Sequence, residues 1–401
     1  MLHILFVTNK NVNPIIGGIE RITHVLAKGF QDLYGYQCYS AFTQRLDNTP
    51  TIFQNEFLLE AGAEKENIEE IVKKNNIDFI IAQGSDARVN RIIDKIGEAV
   101  KDIPTCKLLF VFHTMPGFEY VSVENKVLLY RILQGKNIAS NLKYLGFQIL
   151  APFFKGRVKS YLRKKYLPAY EAVDKLVLLT KGFVPRYATL AGVPIDEKFV
   201  ALANAISFEN QLDMSDYDVV KEKEVLCVAR FDERVKRVSL VLKIWSQIEK
   251  RNEFSDWHLR IVGYGEDFDY NVDLAKKLNL NRVHFEGKKD SFEYYKKASI
   301  FMMTSAFEGF GLVLIEAQQM GAVPLAFNTY EAVYDIIENG TNGYIIDEGN
   351  MEDYARKLEL LMRDIYLRKR MAAEGLKTIE KFSIETITKQ WVELFEDLKK
   401  K

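Results

Sequence analysis

Short, continuously apolar runs alternate along this chain with longer stretches whose apolar positions recur at helical spacing. The runs 2–7, 79–82, 107–112, 175–179 and 199–202 read as strands. Apart from His3, Lys107 and Lys175 they are continuously apolar rather than apolar at every second residue, which suits strands buried on both faces. Helical patterns lie between them, to about residue 30 and over 67–75 and 88–100. From 225 the alternation restarts. Strands are expected at 225–229, 258–262, 283–286, 300–303, 323–327 and 344–346, with helices to about 250, over 273–278 and 292–298, from 312, and over 332–337. Three amphipathic stretches, 351–362, 367–381 and 384–400, close the chain and read as packing helices. Such alternation predicts parallel sheets with helices on both faces. Between the halves, 209–223 is rich in acid and poor in apolar residues and reads as an interdomain linker. The expected fold class is therefore α/β, with two doubly wound, Rossmann-like parallel-sheet domains over 1–207 and 208–382.

Composition agrees with two domains. The chain has 401 residues, 48% apolar and 27% charged, enough for two cores. Formal net charge is zero, so no global field favours nucleic acid, and none is expected as a partner. Cys38, Cys106 and Cys227 are far apart, which implies neither a disulfide framework nor a zinc site and fits a reducing compartment. The run 2–7 is too short for the apolar core of a signal peptide, and no uninterrupted run approaches a membrane span. A cytoplasmic location is expected. One segment departs from neutrality: 126–165 holds ten Lys or Arg and no Asp or Glu, interleaved with residues such as Tyr130, Tyr144, Phe147, Phe153 and Tyr161. It reads either as a solvated basic face or as a surface for an anionic bilayer or lipid diphosphate.

Candidate chemistry collects where predicted strands end. At 299–327 a strand leads through a loop with Glu308, Gly309 and Gly311 into a helix, then a second strand. The amides of Gly311, Leu312 and Val313 would stand unpaired at the helix start, where the dipole favours an anion. Glu308 in the loop and Glu316 about one turn into the helix could accept hydrogen bonds from the hydroxyls of a ligand whose phosphate rests on those amides. A nucleotide sugar has that shape. A second strand–glycine–helix turn carries Gly17 and Gly18; it lacks the Gly-x-Gly-x-x-Gly spacing, which argues against a nicotinamide oxidoreductase. His113 ends the strand 107–112, where open α/β sheets place ligands. Arg230 and Lys236 follow the strand 225–229, where cations would neutralise a diphosphate. Glycine turns at Gly263 and Gly287 follow two further strands.

These residues resemble the family 4, or group 1, retaining glycosyltransferases of GT-B fold. Glu308 and Glu316 with seven residues between them, within Ser305-x-x-Glu308-Gly309-Phe310-Gly311-Leu312, look like the family's paired-glutamate signature. Gly17-Gly18-x-Glu20-Arg21 matches its N-terminal glycine loop, and Arg230 with Lys236 its basic pair. Gly263, Gly287, Asn204 and Asn342-Gly343 fall in the family's order. The resemblance implies two domains facing across a cleft, with a last helix, 383–401, returning to the first. It implies a UDP-sugar, ahead of a GDP-sugar, as co-substrate, with no metal or other cofactor. Glu316 would hold the ribose, Arg230 and Lys236 the diphosphate with the amides of Phe310 to Leu312, and Glu308 the donor sugar. His113 would sit near the sugar's 6-position.

The implied activity is hexosyl or N-acetylhexosaminyl transfer to a glycan or polyprenyl-lipid-linked acceptor, in bacterial surface polysaccharide synthesis. The protein would be peripheral on the inner face of the cell membrane if 126–165 binds lipid. The alternative is a non-catalytic sugar-nucleotide-binding or scaffold protein of the same fold. Two departures stand out. Arg237 occupies a position where the family usually has glycine, and Asn328-Thr329-Tyr330-Glu331 replaces a small, glycine-containing segment that borders the donor sugar.

Overall fold

The computed structural model describes residues 1–15, 17–46, 51–84, 87–120 and 155–400; between 121 and 154 it describes only 129, 131–133, 138, 139, 141, 142 and 146. Half of the basic, aromatic segment 126–165 thus lies outside the described residues. The chain forms two compact units. One comprises Met1–Gly117, Gly156–Ser207 and Lys381–Lys401, the other Phe118–Lys155 and Phe208–Glu380.

The first unit is built on a seven-stranded, wholly parallel sheet. Its strands are β1 (His3–Lys10), β2 (Gln37–Gln44), β3 (Glu56–Leu58), β4 (Phe79–Gly84), β5 (Lys107–Phe112), β6 (Lys175–Leu178) and β7 (Phe199–Ala201), in the spatial order β3-β2-β1-β4-β5-β6-β7. Every residue of β4 is buried, as continuous apolar sequence requires of a strand covered on both faces. The helix Ile384–Lys400 packs in this unit: Phe395 stacks on Phe79 with ring centroids 4.3 Å apart, and Lys399 pairs with Asp78 at 2.9 Å. Strands β2 and β3 are not announced by apolar runs. In β2 the run is broken by Gln37, Ser40, Thr43 and Gln44, although Cys38–Phe42 are buried.

The second unit holds a six-stranded parallel sheet of β8 (Glu222–Val228), β9 (His258–Val262), β10 (Val283–Gly287), β11 (Ala298–Met303), β12 (Val323–Asn328) and β13 (Tyr344–Asp347), ordered β10-β9-β8-β11-β12-β13. Its core gathers Trp245 and Trp257 with Tyr354, Phe327 and the aliphatic residues of the central strands. The stretch 209–223 is not a free linker. Leu212 and Tyr217 are buried in this core, and the Leu212 amide donates to Gln319 O at 3.0 Å. Its acids misled the reading because they serve locally: Asp213 accepts from the Ser215 amide, and Asp218 pairs with Lys369.

All three cysteines are free and buried, and burial pushes their thiols up to about 12, which leaves them unreactive. Among the described residues no helix is long and apolar enough to cross a membrane.

Arg131, one of the ten basic residues of 126–165, is buried in the second unit. Its Nε donates to Asp267 Oδ1 at 2.7 Å, and its Nη2 lies 3.0 Å from Glu266 and 3.8 Å from Asp232. It is therefore neither a solvated cation nor one free to meet a bilayer. Removing one partner of a buried pair strands the other's charge, so Arg131→Ala should cost about 3–5 kcal/mol. Chemical unfolding of the variant checks this, and Arg131→Lys should recover only part, since an ammonium cannot make the forked contact. An unchanged midpoint in Arg131→Ala would show that the pair contributes nothing.

Candidate functional site

In the second sheet the chain runs outward from β8 through β9 to β10 in one direction and from β11 through β12 to β13 in the other. The strand order reverses between β8 and β11, and open α/β sheets bind ligands at the carboxyl ends of such a reversal. The loop after β8 carries Arg230, Lys236 and Arg237; the loop after β11 carries Ser305 and Glu308. Backbone and side chains tie the two together. The Ala306 amide donates to Val235 O at 2.7 Å, and Thr304 Oγ1 donates to Arg237 O at 2.9 Å. Arg237 donates from Nε to Thr304 O and from Nη2 to Ser305 O, both at 2.9 Å, and from Nη1 to Glu348 at 2.7 Å. Its backbone is left-handed, φ 48° and ψ 47°, which is why glycine suits this position and what the family departure must overcome. A non-glycine residue there costs about 1–3 kcal/mol, offset here by three side-chain hydrogen bonds.

Lys236 and Glu308 meet across the joined loops: Lys236 Nζ donates to Glu308 Oε1 at 2.5 Å, and Ser305 Oγ donates to the same oxygen at 2.6 Å. Both charged side chains are largely but not wholly buried. Arg230 stands apart. It is mostly exposed and its Nη2 reaches Asp232 at 3.1 Å. The structure thus pairs Lys236 with Glu308 and leaves Arg230 on its own carboxylate.

Beside them the helix Leu312–Gln319 begins at Gly311, whose φ of 96° is left-handed. A Cβ on Gly311 would lie 2.4 Å from the Tyr330 hydroxyl, so backbone and crowding both require glycine. Tyr330 is buried with no hydrogen-bond partner for its hydroxyl, and burial, then Glu308 and Asp335, drive its pKa well above the usual phenol value. Phe310 and Glu316 are buried, and Leu312 opens the helix. The helix opens four residues after Glu308 with no side-chain cap, and the amides of a helix start can take an anion.

A buried polar layer supports the loop after β8. Glu233 accepts from Ser239 N at 2.9 Å, Ser239 Oγ at 2.6 Å and Asn271 Nδ2 at 3.0 Å, and burial raises its pKa against those hydrogen bonds. Asp267 accepts from the Glu233 amide at 2.7 Å. Carboxylate oxygens of Asp232, Glu266 and Asp267 lie within 4.8 Å of one another, a spacing that could hold a metal, but Arg131 supplies positive charge there. Gly263, at φ 138°, has a packing reason of its own: its Cβ would fall 1.9 Å from Ala229 O. Gly287 ends β10 and its carbonyl accepts from the Gly263 amide at 2.8 Å.

In the first unit the order reverses between β1 and β4. Gly17 and Gly18 lie after β1 at the start of the helix Gly18–Tyr34, with Arg21 Nε donating to Pro14 O at 3.3 Å. His113 follows β5, its Nε2 2.6 Å from Gln83 Oε1 on β4. Gln83, Ser305, Arg237 and Tyr330 were missed as site residues. No motif marks Gln83; for Arg237 and Tyr330 the departures from the family pattern were the available signal.

Two doubly wound parallel sheets, the second with this anion-ready reversal point, define the GT-B class of fold. Anabaena HepE in complex with UDP and glucose superposes with a TM-score of 0.70 at 16% identity, over 99% of this chain and 100% of that one. Residues 213–378 match the family model of the glycosyl transferases group 1. An uncharacterized glycosyltransferase of Haemophilus influenzae is 29% identical over 68% of this chain and 74% of its own length. An amylovoran biosynthesis glycosyltransferase of Erwinia amylovora is 28% identical over 57% of this chain and 64% of its own length.

The contact between Gly311 and Tyr330 has a measurable consequence. Gly311→Ala should lower stability by about 1–3 kcal/mol, and Tyr330→Phe should restore part of that loss by removing the hydroxyl. Thermal unfolding of the single and double variants tests the coupling; strictly additive effects would show that the hydroxyl does not crowd residue 311.

Proposed function

We propose that this protein is a retaining glycosyltransferase that moves a hexosyl or N-acetylhexosaminyl group from a UDP-sugar to a glycan or lipid-linked acceptor in bacterial surface polysaccharide synthesis. The observation that carries the reading is the meeting of Lys236, Glu308 and the start of the helix Leu312–Gln319 at the reversal point of the second sheet. The group 1 match over the same residues supports it. UDP is favoured as the carrier by the complex named for HepE, and surface polysaccharide by the name of the Erwinia relative.

In this reading the diphosphate rests on the amides of Phe310 to Leu312, with Lys236 and Arg230 as its cations. Glu316 takes the ribose hydroxyls. Glu308, held by Ser305, faces the donor sugar, and His113 takes the sugar's 6-hydroxyl. The glycosidic bond to the diphosphate breaks as the acceptor oxygen bonds on the same face; the electron pair leaves with the diphosphate, whose freed oxygen takes the acceptor's proton. Lys236 stabilises the charge that grows there, so no protein nucleophile and no divalent metal is assigned a role. Donor binding then exchanges the Lys236–Glu308 contact for contacts to phosphate and sugar. Gly17, Gly18, Gly263 and Gly287 border the ligand as turns.

Transfer from UDP-sugar, assayed in EDTA, should fall by about 10² or more in Lys236→Ala, the loss expected when leaving-group stabilisation of about 2.7–4 kcal/mol is removed. NMR of the product should show the donor's anomeric configuration kept. Near wild-type turnover in Lys236→Ala would remove the clamp. UDP-sugar binding by a wild-type protein that never turns it over would instead favour the non-catalytic alternative.

The acceptor's lipid and the protein's place on the inner membrane face rest on the basic segment, whose described part includes exposed Lys159, Tyr161, Arg163 and Lys164. Vesicles with anionic lipid should retain the protein at low salt and release it at high salt; equal binding to neutral vesicles would count against this docking.

A further inference from the structure

Gln83 and His113 occupy the ends of adjacent strands. The ladder of β4 and β5 continues past the last rung, with the His113 amide donating to Gly84 O at 2.9 Å, so both side chains are set by paired backbone. Gln83 is 2% exposed. Its Oε1 lies 2.6 Å from His113 Nε2, a separation that suits N–H···O and is too short for N–H···N. The amide nitrogen of Gln83 is buried without a hydrogen-bond partner. It borders a small cavity shared with His113, Asn204, Leu202 and Trp391, which has room for about one water molecule.

Among the described residues, His113 is the only titratable group lining that cavity; the other lining side chains are apolar or neutral amides. Burial lowers the His113 pKa to about 4, below the ordinary value of 6.5. The ring therefore stays neutral at pH 7 and carries one proton. A carbonyl oxygen facing Nε2 requires that proton on Nε2, so the lone pair is on Nδ1.

We propose that Gln83 is a positioning residue that holds His113 in the Nε2–H tautomer and so presents Nδ1 as a hydrogen-bond acceptor for a sugar hydroxyl. The tautomer follows from the Gln83–His113 geometry; its use on the sugar rests on the function proposed above. An acceptor at Nδ1 selects a ligand group that can donate, such as a hydroxyl, and disfavours one that only accepts, such as a carboxylate.

Nitrogen NMR of protein labelled at histidine tests this, with the His113 signals assigned by their loss in His113→Ala. At pH 7 the wild-type ring should give the Nε2–H pattern and should remain neutral well below pH 6. Gln83→Glu also accepts from Nε2–H, so it should keep the tautomer, and its carboxylate should move the titration upward. Gln83→Leu should give a mixture of tautomers, with kcat about tenfold lower, the worth of one hydrogen bond. Gln83→Glu should recover that activity above its raised pKa, a pH dependence that a merely structural role would not produce. A wild-type Nδ1–H ring, or an Nε2–H ring that survives Gln83→Leu, overturns the assignment whatever the turnover. Full turnover by His113→Ala, with the wild-type tautomer as stated, overturns instead the placing of the sugar at His113 and with it the role of Nδ1. Because the wild-type spectrum alone decides the tautomer, poor folding of a variant cannot rescue the proposal.

Discussion

The second unit depends on one join, the Arg237 guanidinium across the carbonyls of Thr304 and Ser305. Together with the Thr304 hydroxyl on Arg237 O and the Ala306 amide on Val235 O, it joins the loops after β8 and β11 and helps to set Lys236 opposite Glu308. A buried carbonyl is costly to leave unpaired. The guanidinium answers two of them with a rigid fork, which an ammonium could not do at one stroke. The left-handed backbone at Arg237 is the cost of bringing that fork into place. Beneath the join, Glu233 and Asp267 bind the backbone of the same loop and helix starts, so the loop is held from below as well as from the side.

The two charged pairs of the second unit differ in how far solvent reaches them. Lys236 and Glu308 meet in one short contact and are largely buried, with 20% and 12% of their side-chain surface still open to solvent. The Arg131–Asp267 pair is of the other kind, nearly sealed from solvent and fixed by two prongs. Solvent access leaves Lys236 reachable by an anion, as the function proposed above requires, whereas the sealed Arg131 is not. The helix start supplies the remaining attraction through fixed amide dipoles, which require no side chain to reorganise.

The first unit offers a different chemistry. His113 is neutral, its partner Gln83 is neutral, and the nearby cavity is lined by apolar side chains and amides. Cations and amides in one unit suit a diphosphate, while an uncharged polar pair in the other suits sugar hydroxyls.

Much of the fold was legible because a parallel strand covered on both faces must be apolar where it is buried, and β5, β11 and β12 are so almost throughout, as are the central residues of β1 and β4 and the second half of β8. β2 was hidden because polar residues interrupt its buried run, and 209–223 was misread because capping and surface acids outnumber the few residues that enter the core. Strand ends and glycines made His113, Lys236, Glu308 and Gly311 candidates, since chain order brings such positions to the carboxyl edge of the doubly wound sheet that each belongs to. What sequence spacing does not contain is who pairs with whom. Lys236 meeting Glu308, Arg237 clasping the next loop, Arg131 turning inward to Asp267 and Gln83 setting the His113 ring each join residues separated by dozens of positions. Only the tertiary structure decides these, because each hydrogen bond depends on a few tenths of an ångström and on the burial that makes an unpaired group costly.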